Sequence, residues 1–507
     1  MNGTKTMVAA VAALAAGIAA AEIRMGAPFT DGAVLQRDMK LPVWGTATAG
    51  ATVKVAFAGQ EKAATAGADG AWRVDLQPLE TSAEGRKMTV VELSGNQTVS
   101  TQTVSDLLVG EVWLASGQSN MECPIWGGGT RYRDGNGGLL TEMTRLPLVR
   151  YVSVEHKRSV EPVSTPAKWR KFVSADLSDG RRLSAVAFYY ARELYLALGI
   201  PIGIVNVSWG GTNIDAWTPR CGYSDCDESI RKTAEYPVRS QEEWKKETDA
   251  IGPIGASHQQ PTVLWNGMVA SFAPMAIRGF IWYQGCHNSG ESQLYAAKLH
   301  ALYNGWARSF ENPDLRMYLV QLAPYHHNWL GICAAQNRFV SEQKNAALAV
   351  TADVGNFKDI HPNRKEIVAK RLVVHALKRD YGFDIPEDDS PVFRSVDYGN
   401  GQATLTFDHV KEWYVYSPDR SHEPAFELAG TNGVWAAAKV VNWKPGKDKK
   451  GNVIESDFIA GGKIVLKSDA VAEPVAVRYM GREKTSGTMY NEVSLPLGAF
   501  EIGAQGK

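Results

Sequence analysis

The pattern of hydrophobic and polar positions changes twice along the chain. Up to about residue 106, apolar and polar residues alternate in short runs such as 52–57, separated by Gly/Asp turns. Alternation of this kind is typical of half-buried β-strands. The next region contains three apolar runs without alternation, at residues 109–115, 202–209 and 277–283. Such runs are typical of parallel strands that are buried on both faces. Beyond about residue 379 the short-strand pattern returns.

Helical stretches at residues 183–198 and 293–310 separate the apolar runs of the central region. Strand alternating with helix predicts a parallel, doubly wound sheet, which binds ligands at the carboxyl ends of its strands. The predicted class is therefore α/β, with a parallel-sheet core between an N-terminal β-sandwich and a C-terminal β domain. The predicted units are residues 22–106, residues 107–385 with an insertion at 219–260, and residues 386–507.

Residues 1–21 have the pattern of a secretory signal peptide. Lys5 supplies the positive charge, residues 7–16 are apolar, and small residues precede a cleavage site before Glu22. No cysteine follows that site, so the sequence predicts no lipid anchor there. We expect an exported protein, periplasmic or secreted, without a membrane anchor.

Charge and composition narrow the class of partner. The 54 basic residues balance the 54 acidic ones, which does not favour a nucleic-acid partner. No Cys/His spacing matches a structural zinc site, so the sequence predicts no metal site. The sequence leaves the oligomeric state open.

A serine follows directly on the first buried run, in the pentapeptide Gly117-Gln118-Ser119-Asn120-Met121. An α/β enzyme presents a nucleophile at such a strand-to-turn position. Two further turns, Gly210-Gly211 and Gln284-Gly285, follow the other two runs. Because the carboxyl ends of parallel strands meet at one edge, we expect these three turns to form one site.

A serine nucleophile needs a base, and His361 is the best candidate among the ten histidines. It lies in a polar loop after a further buried run, 347–352. Asp359, two residues earlier, is placed to orient the imidazole, and Asp353 at the end of the strand is the alternative orienting acid.

The oxyanion of the reaction also needs hydrogen-bond donors. The candidates are the backbone N–H of Ser119, an N–H of the Gly210-Gly211 turn, and a side-chain amide from Gln284 or Asn288. The sequence leaves the choice between these two amides open.

These segments resemble the SGNH (GDSL-like) hydrolases and, more closely, the sialate O-acetylesterase family of carbohydrate esterases. The most specific segment is Gly110 to Met121, GEVWLASGQSNM, and the resemblance runs along nearly the whole chain after the signal segment. Other segments that carry it are residues 29–37, Val43-Trp44-Gly45, Trp282-Tyr283-Gln284-Gly285, Asp359-Ile360-His361-Pro362 and Val477-Arg478-Tyr479.

The resemblance implies an SGNH-hydrolase-like, flavodoxin-like core. It also implies removal of O-acetyl groups from sugars, most simply sialic acids, through an acetyl-serine and without a cofactor. Ser119 then matches the nucleophile, His361 the base and Asp359 the orienting acid. An acetylesterase for xylan or pectin would use the same residues. A rival from another class is a glycan-binding protein with an inactive core.

The chain departs from the family pattern at Gly285-Cys286-His287-Asn288, and again at Cys123. Both cysteines flank the expected site, four residues after Ser119 and two residues after Gln284. We therefore expect a Cys123–Cys286 disulfide that joins the nucleophile loop to the third turn.

Overall fold

The structure is a computed structural model. It describes residues 23–125, 138–172, 183–234, 256–355, 357–415, 425–443, 446–447, 449–450, 453–454, 458–481, 485 and 487–503. The predicted signal peptide and the middle of the predicted insertion lie outside these residues. No helix in the described ranges combines the length and the apolar character needed to cross a membrane.

Seven α-helices are described: α1 (Ser119–Glu122), α2 (Gly138–Thr144), α3 (Ala185–Leu198), α4 (Glu228–Ala234), α5 (Ser292–Ser309), α6 (Leu330–Glu342) and α7 (Lys365–Arg379). The strands of the first half are β1 (Arg24–Met25), β2 (Val34–Gln36), β3 (Leu41–Thr46), β4 (Thr52–Phe57), β5 (Gln60–Thr65), β6 (Ala71–Leu76), β7 (Ser82–Ser94), β8 (Gln97–Gly117), β9 (Val149–Ser153), β10 (Arg170–Lys171), β11 (Ile202–Ser208), β12 (Gly279–Tyr283), β13 (Arg316–Val320) and β14 (Ala346–Ala349). Those of the C-terminal part are β15 (Val392–Gly399), β16 (Gln402–Asp408), β17 (Glu412–Val415), β18 (Phe426–Ala429), β19 (Trp435–Ala437), β20 (Lys439–Val440), β21 (Gly446–Lys447), β22 (Val453–Ile454), β23 (Phe458–Ala460), β24 (Lys463–Lys467), β25 (Ala476–Tyr479), β26 (Met489–Tyr490) and β27 (Phe500–Ile502).

A large mixed sheet forms the centre of the molecule, and the predicted α/β class is confirmed. Its main path runs β10-β9-β11-β8-β12-β13-β14, and the neighbours from β9 to β14 pair in parallel. Every residue of β11 and β12 is buried, as expected for parallel strands that are covered on both faces.

The register of this sheet brings three strand ends to one level. Gly117 at the end of β8 pairs with Ser208 of β11 on one side and with Tyr283 of β12 on the other. The turns that follow these strands therefore lie side by side. They are the three turns that carry Ser119, Gly210-Gly211 and Gln284-Gly285.

The 21-residue strand β8 links the N-terminal strands to the central sheet. Its first part pairs antiparallel with β7, and its last part pairs with β11 and β12. One continuous hydrophobic cluster includes Val53 and Val90 of the N-terminal strands together with the core of the central sheet. The boundary predicted at 106/107 thus falls inside a single strand.

The C-terminal strands form small antiparallel sheets around a second hydrophobic cluster, which includes Leu405, Trp413 and Tyr479. Helix α6 and the loop before α7 contact these strands. Tyr490 of β26, for example, donates to Asp353 at 3.3 Å.

Candidate active site

A glycine-led turn places Ser119 at the end of β8. Gly117 has a φ of +137°, and a Cβ there would lie 2.3 Å from the carbonyl oxygen of Tyr283. Only glycine fits this conformation and this close approach. The chain can therefore leave the sheet and begin α1 at Ser119, whose side chain is half-buried.

Ser119, His361 and Asp359 come together across more than 240 residues of sequence. The Oγ of Ser119 lies 2.8 Å from Nε2 of His361, which is hydrogen-bond distance. The Nδ1 of His361 lies 3.6 Å from Oδ1 of Asp359, an ion-pair distance that is too long for a hydrogen bond. The same Oδ1 accepts the backbone N–H of His361 at 2.9 Å, so Asp359 also fixes the loop.

The alternative acid, Asp353, has other partners. Its two carboxylate oxygens accept from the guanidinium of Arg371 at 2.6 and 2.8 Å, and Tyr490 contacts the same group. This bidentate pair joins the end of β14 to α7. The structure brings Asp359, and not Asp353, to the imidazole of His361.

The surroundings of His361 favour its neutral form. Burial lowers the pKa of His361, and the positive charge of Lys365 lowers it further, while Asp359 and Glu122 act in the opposite direction. A neutral imidazole is the form that accepts a proton from a serine hydroxyl.

One predicted oxyanion donor is already occupied. The N–H of Gly210 donates to Oε2 of Glu122 at 2.5 Å, and Oε1 of Glu122 lies 2.9 Å from Nε2 of His156. Gly210 packs directly against the nucleophile, because a Cβ on it would lie 3.2 Å from the Cβ of Ser119. Glu122 thus accepts from one of the two N–H groups, those of Gly210 and Gly211, that the sequence offered as oxyanion donors.

The neighbouring Gly211 is open. A Cβ built on it would meet no atom within 4 Å, and its carbonyl oxygen accepts from the side chain of Gln259. Trp209, at the start of this turn, stacks with two imidazole rings: that of His156, with ring centres 4.2 Å apart, and that of His258, with ring centres 5.4 Å apart.

The two candidate amides have internal partners, and this corrects the expectation that one of them faces the substrate. Gln284 Nε2 donates to Thr212 O at 3.0 Å and to Asn288 Oδ1 at 2.7 Å, which uses both of its hydrogens. Asn288 Nδ2 donates to Glu291 at 2.5 Å. Both side chains are fully buried, so their amides fix the third turn.

The expected disulfide is not formed, because Cys123 and Cys286 are both free thiols. Burial raises the pKa of Cys123 and raises that of Cys286 to about 12. Both residues therefore stay protonated, and a protonated thiol is unreactive in disulfide exchange.

Several side chains at the site were not singled out from the sequence. Asn120 and Glu122 stand in the nucleophile segment, where they carried no separate signal. Lys365 and His156 come from distant segments. Lys365 is the first residue of α7. The sequence alone does not distinguish a buried lysine at the start of a helix from one that is exposed to solvent.

His156 is also one of the residues that line a cavity of about 500 Å³. Three cationic side chains line it, Lys157, Lys168 and Arg170, and the only acidic side chain among its described lining residues is Glu155. His156, which lines the cavity, also contacts Glu122, three residues after Ser119, whereas Ser119, His361 and Asp359 are not among the described lining residues.

Comparison with known proteins decides the family. Residues 109–370, just over half of the chain, match the family described as carbohydrate esterase, sialic acid-specific acetylesterase. The chain belongs to this family. Ser119, His361 and Asp359 all lie within the matched range.

Relatives of this esterase extend the likeness over most of the chain. The sialate O-acetylesterase of Rattus norvegicus is 30% identical over 67% of this chain and 70% of its own, and the Homo sapiens protein is 28% identical over 74% of each. A solved carbohydrate acetylesterase from Xanthomonas citri is 28% identical, covers 95% of this chain and 99% of its own, and superposes with a TM-score of 0.76.

Proposed function

We propose that this family member is a serine esterase that removes O-acetyl groups from carbohydrates through an acetyl-Ser119 intermediate. The observation that carries the proposal is the 2.8 Å contact between Ser119 Oγ and His361 Nε2 at the carboxyl edge of the central sheet. Membership of the carbohydrate esterase family supports the reaction class.

In the proposed first step, His361 takes the hydroxyl proton of Ser119 as Oγ attacks the acetyl carbonyl carbon. The tetrahedral intermediate collapses, the sugar oxygen leaves with the proton from His361, and acetyl-Ser119 remains. Water, deprotonated by His361, then attacks this ester and releases acetate and free Ser119. Asp359 stabilises the imidazolium that forms in both steps.

The oxyanion donors that we propose are the backbone N–H groups of Ser119 and Gly211. Ser119 begins a helix, so its N–H has no acceptor within that helix. Gly211 borders open space beside the nucleophile. Gly210 can add a third N–H if Glu122 turns away when substrate binds.

The substrate that we propose is an O-acetylated sialic acid. The family description and the names of the mammalian relatives support an acidic nine-carbon sugar. The cationic cavity beside His156 supports the same choice, because Lys157, Lys168 and Arg170 favour a carboxylate. Acetylated pectin carries carboxylates as well, whereas acetylated xylan offers less charge to this lining.

Two further proposals follow from the sequence. We propose an SGNH-hydrolase-like arrangement for the core, supported by the order β11-β8-β12-β13-β14, which is the strand order of flavodoxin-like sheets. We also propose export to the periplasm or the medium, supported by the signal-like pattern of residues 1–21.

The test is acetate release from O-acetylated sialic acid, acetylated pectin and acetylated xylan, each with Ser119→Ala as the matched control. We expect release from the sialic acid, lowered at least about 1,000-fold in the variant, because loss of a nucleophile ordinarily costs far more than 10-fold. Release from pectin or xylan instead would keep the mechanism and change the substrate.

The alternative function is glycan binding without catalysis. It predicts no acetate release from any of the three substrates and binding of a glycan that Ser119→Ala leaves unchanged. The hydrogen-bond geometry between Ser119 and His361 favours the enzyme, because a binding protein has no chemical need for it.

A further inference from the structure

Lys365 is a fully buried lysine beside the proposed catalytic residues that the mechanism above does not use. It is 2% exposed. Its Nζ donates to Oδ1 of Asn120, the residue after Ser119, and lies 5.1 Å from the ring centre of Tyr283. It is thus held at the junction between the nucleophile segment, the end of β12 and the start of α7.

Asn120 in turn is hydrogen-bonded to the loop that carries the proposed base, His361. Nδ2 of Asn120 donates to the carbonyl oxygen of Ile360 at 3.0 Å, and Ile360 directly precedes His361. One chain of hydrogen bonds therefore runs from Lys365 through the neighbour of Ser119 to the neighbour of His361. Asn120 is itself 3% exposed, so this link is shielded from water.

The Lys365 ammonium has no carboxylate within 4.0 Å among the described residues, which is unusual for a buried charge. The titratable groups around it are the thiols of Cys123 and Cys286, the ring of Tyr283, and Asp359 and His361 at the site. Burial lowers its pKa to about 8. A charge kept without an ion-pair partner costs stability, and such costs are typical of functional sites.

We propose that Lys365 is a positioning residue for the esterase reaction, which holds the His361 loop against the nucleophile segment through Asn120 and places a positive charge beside the imidazole. This inference rests on the proposed function. The held geometry keeps Ser119 Oγ and His361 Nε2 in contact, and the charge favours neutral His361 at lower pH. The negative charges of Asp359 and Glu122 oppose the effect of Lys365 on the pKa of His361.

The two parts of the role can be separated by two variants. Lys365→Met removes both the charge and the link, whereas Asn120→Ala removes the link and keeps the charge. Because misplacement of reacting groups by about 1 Å can cost about 100-fold, we expect both variants to lower kcat by roughly 10- to 100-fold. Only Lys365→Met should move the acid limb of kcat/KM to higher pH, since the pKa of His361 then rises.

The measurement is a pH profile of 4-nitrophenyl acetate hydrolysis, with thermal melting of each variant. Lys365→Arg keeps the charge and should leave the acid limb near its wild-type position. Lys370→Met, an exposed lysine of the same helix, is the matched control and should leave rate and profile unchanged. An NMR titration of His361 in the wild type and in Lys365→Met measures the change in the pKa of His361 directly, without relying on turnover.

An unchanged acid limb and an unchanged NMR titration in a folded Lys365→Met would overturn the inference. A lower melting temperature with a normal profile would also overturn it, because Lys365 would then only support the fold. Failure of the proposed function has a different signature, namely a Ser119→Ala variant that hydrolyses the ester as fast as wild type.

Discussion

Two His–Asp pairs lie at opposite ends of the same helix, α7, and they differ in contact distance, burial and partners. His361 and Asp359 precede the helix, with 3.6 Å between Nδ1 and Oδ1 and with side chains 37% and 30% exposed. His375 lies within it and contacts Asp388 at 3.0 Å, with side chains only 2% and 4% exposed. The contact between His375 and Asp388 is thus the shorter and the better shielded of the two, although it is His361 that contacts the serine.

The second pair is part of an ion-pair network. Asp388 also binds Arg379 at 2.5 Å and Lys378 at 3.1 Å. Burial acts to raise the pKa of Asp388, but the hydrogen bond with His375 and the charge of Arg379 outweigh it and hold this pKa well below its usual range. With Asp389, the pair forms a group whose possible metal-ligand atoms lie within 4.8 Å of one another. The cationic partners already neutralise its carboxylates, so this group is better suited to joining α7 to the segment before β15 than to binding a cation.

The difference shows what separates a reactive imidazole from a structural one. A close carboxylate is present in both pairs, so it is not the deciding feature. His361 has an exposed edge, a serine hydroxyl at 2.8 Å and surroundings that lower its pKa. His375 has a buried ring that packs against Tyr318.

The largest expected effect comes from exchanging each histidine for glutamine. His361→Gln removes the only proposed base, so kcat/KM should fall at least about 1,000-fold while the melting temperature stays near that of wild type. His375→Gln should leave kcat/KM within about 3-fold and lower the free energy of unfolding by about 1–3 kcal/mol, because it disturbs a buried hydrogen bond to a charged group. Hydrolysis rates and thermal melting measure both.

The distinction between a reactive His361 and a structural His375 is wrong if the two variants give the opposite results. A His375→Gln variant that folds normally but has lost activity would mean that the buried pair acts in the reaction. A His361→Gln variant with near-normal turnover would remove His361 from the mechanism.

A smaller effect is expected from the two aspartates near the site. Asp359→Asn weakens the stabilisation of the imidazolium, and because the contact is 3.6 Å long we expect a loss of about 10- to 100-fold in kcat. Asp353→Asn should leave kcat nearly unchanged and lower stability by roughly 2–4 kcal/mol, because Arg371 loses half of a bidentate pair. Equal losses of activity in the two variants would contradict the assignment.

The sequence predicted the elements whose signal is local. Unbroken apolar runs identified β8, β11 and β12, and the turns after them were expected to meet because parallel strands end at one edge. The structure confirms the α/β class, and its register aligns Gly117 with Ser208 and Tyr283. The contact of Ser119 with His361 could be anticipated only because each follows a buried strand.

The rest depended on side-chain packing, which the pattern does not specify. Gln284 and Asn288 stand at the right distance along the chain, but their amides turn inward to Thr212 and Glu291. Glu122 lies in α1, after β8, and its carboxylate accepts from the N–H of Gly210 in the turn after the neighbouring strand β11. Two cysteines near one site carried no information on whether they are oxidised.

The smallest effect is expected in the pH dependence of stability, where the two ends of α7 should respond in opposite directions. Lys365 binds its proton more weakly in the folded state, with a pKa of about 8, than in the unfolded chain. Between about pH 8 and about pH 10 the unfolded state therefore holds more protons, and the free energy of unfolding should rise by up to about 1.4 kcal/mol per pH unit from this group. Asp388 has a lowered pKa, so its contribution is present above about pH 4 and is lost as the pH falls.

The free energy of unfolding, measured by urea denaturation at a series of pH values, reports the contributions of both Lys365 and Asp388. Lys365→Met should remove the alkaline rise and leave the acid fall, whereas Asp388→Asn should do the reverse. The difference between each variant and wild type isolates one group, because every other titrating side chain is shared. If Lys365→Met keeps the full alkaline rise, the lysine is not held with a lowered pKa, and the contrast between a strained active-site end of α7 and a satisfied structural end is wrong.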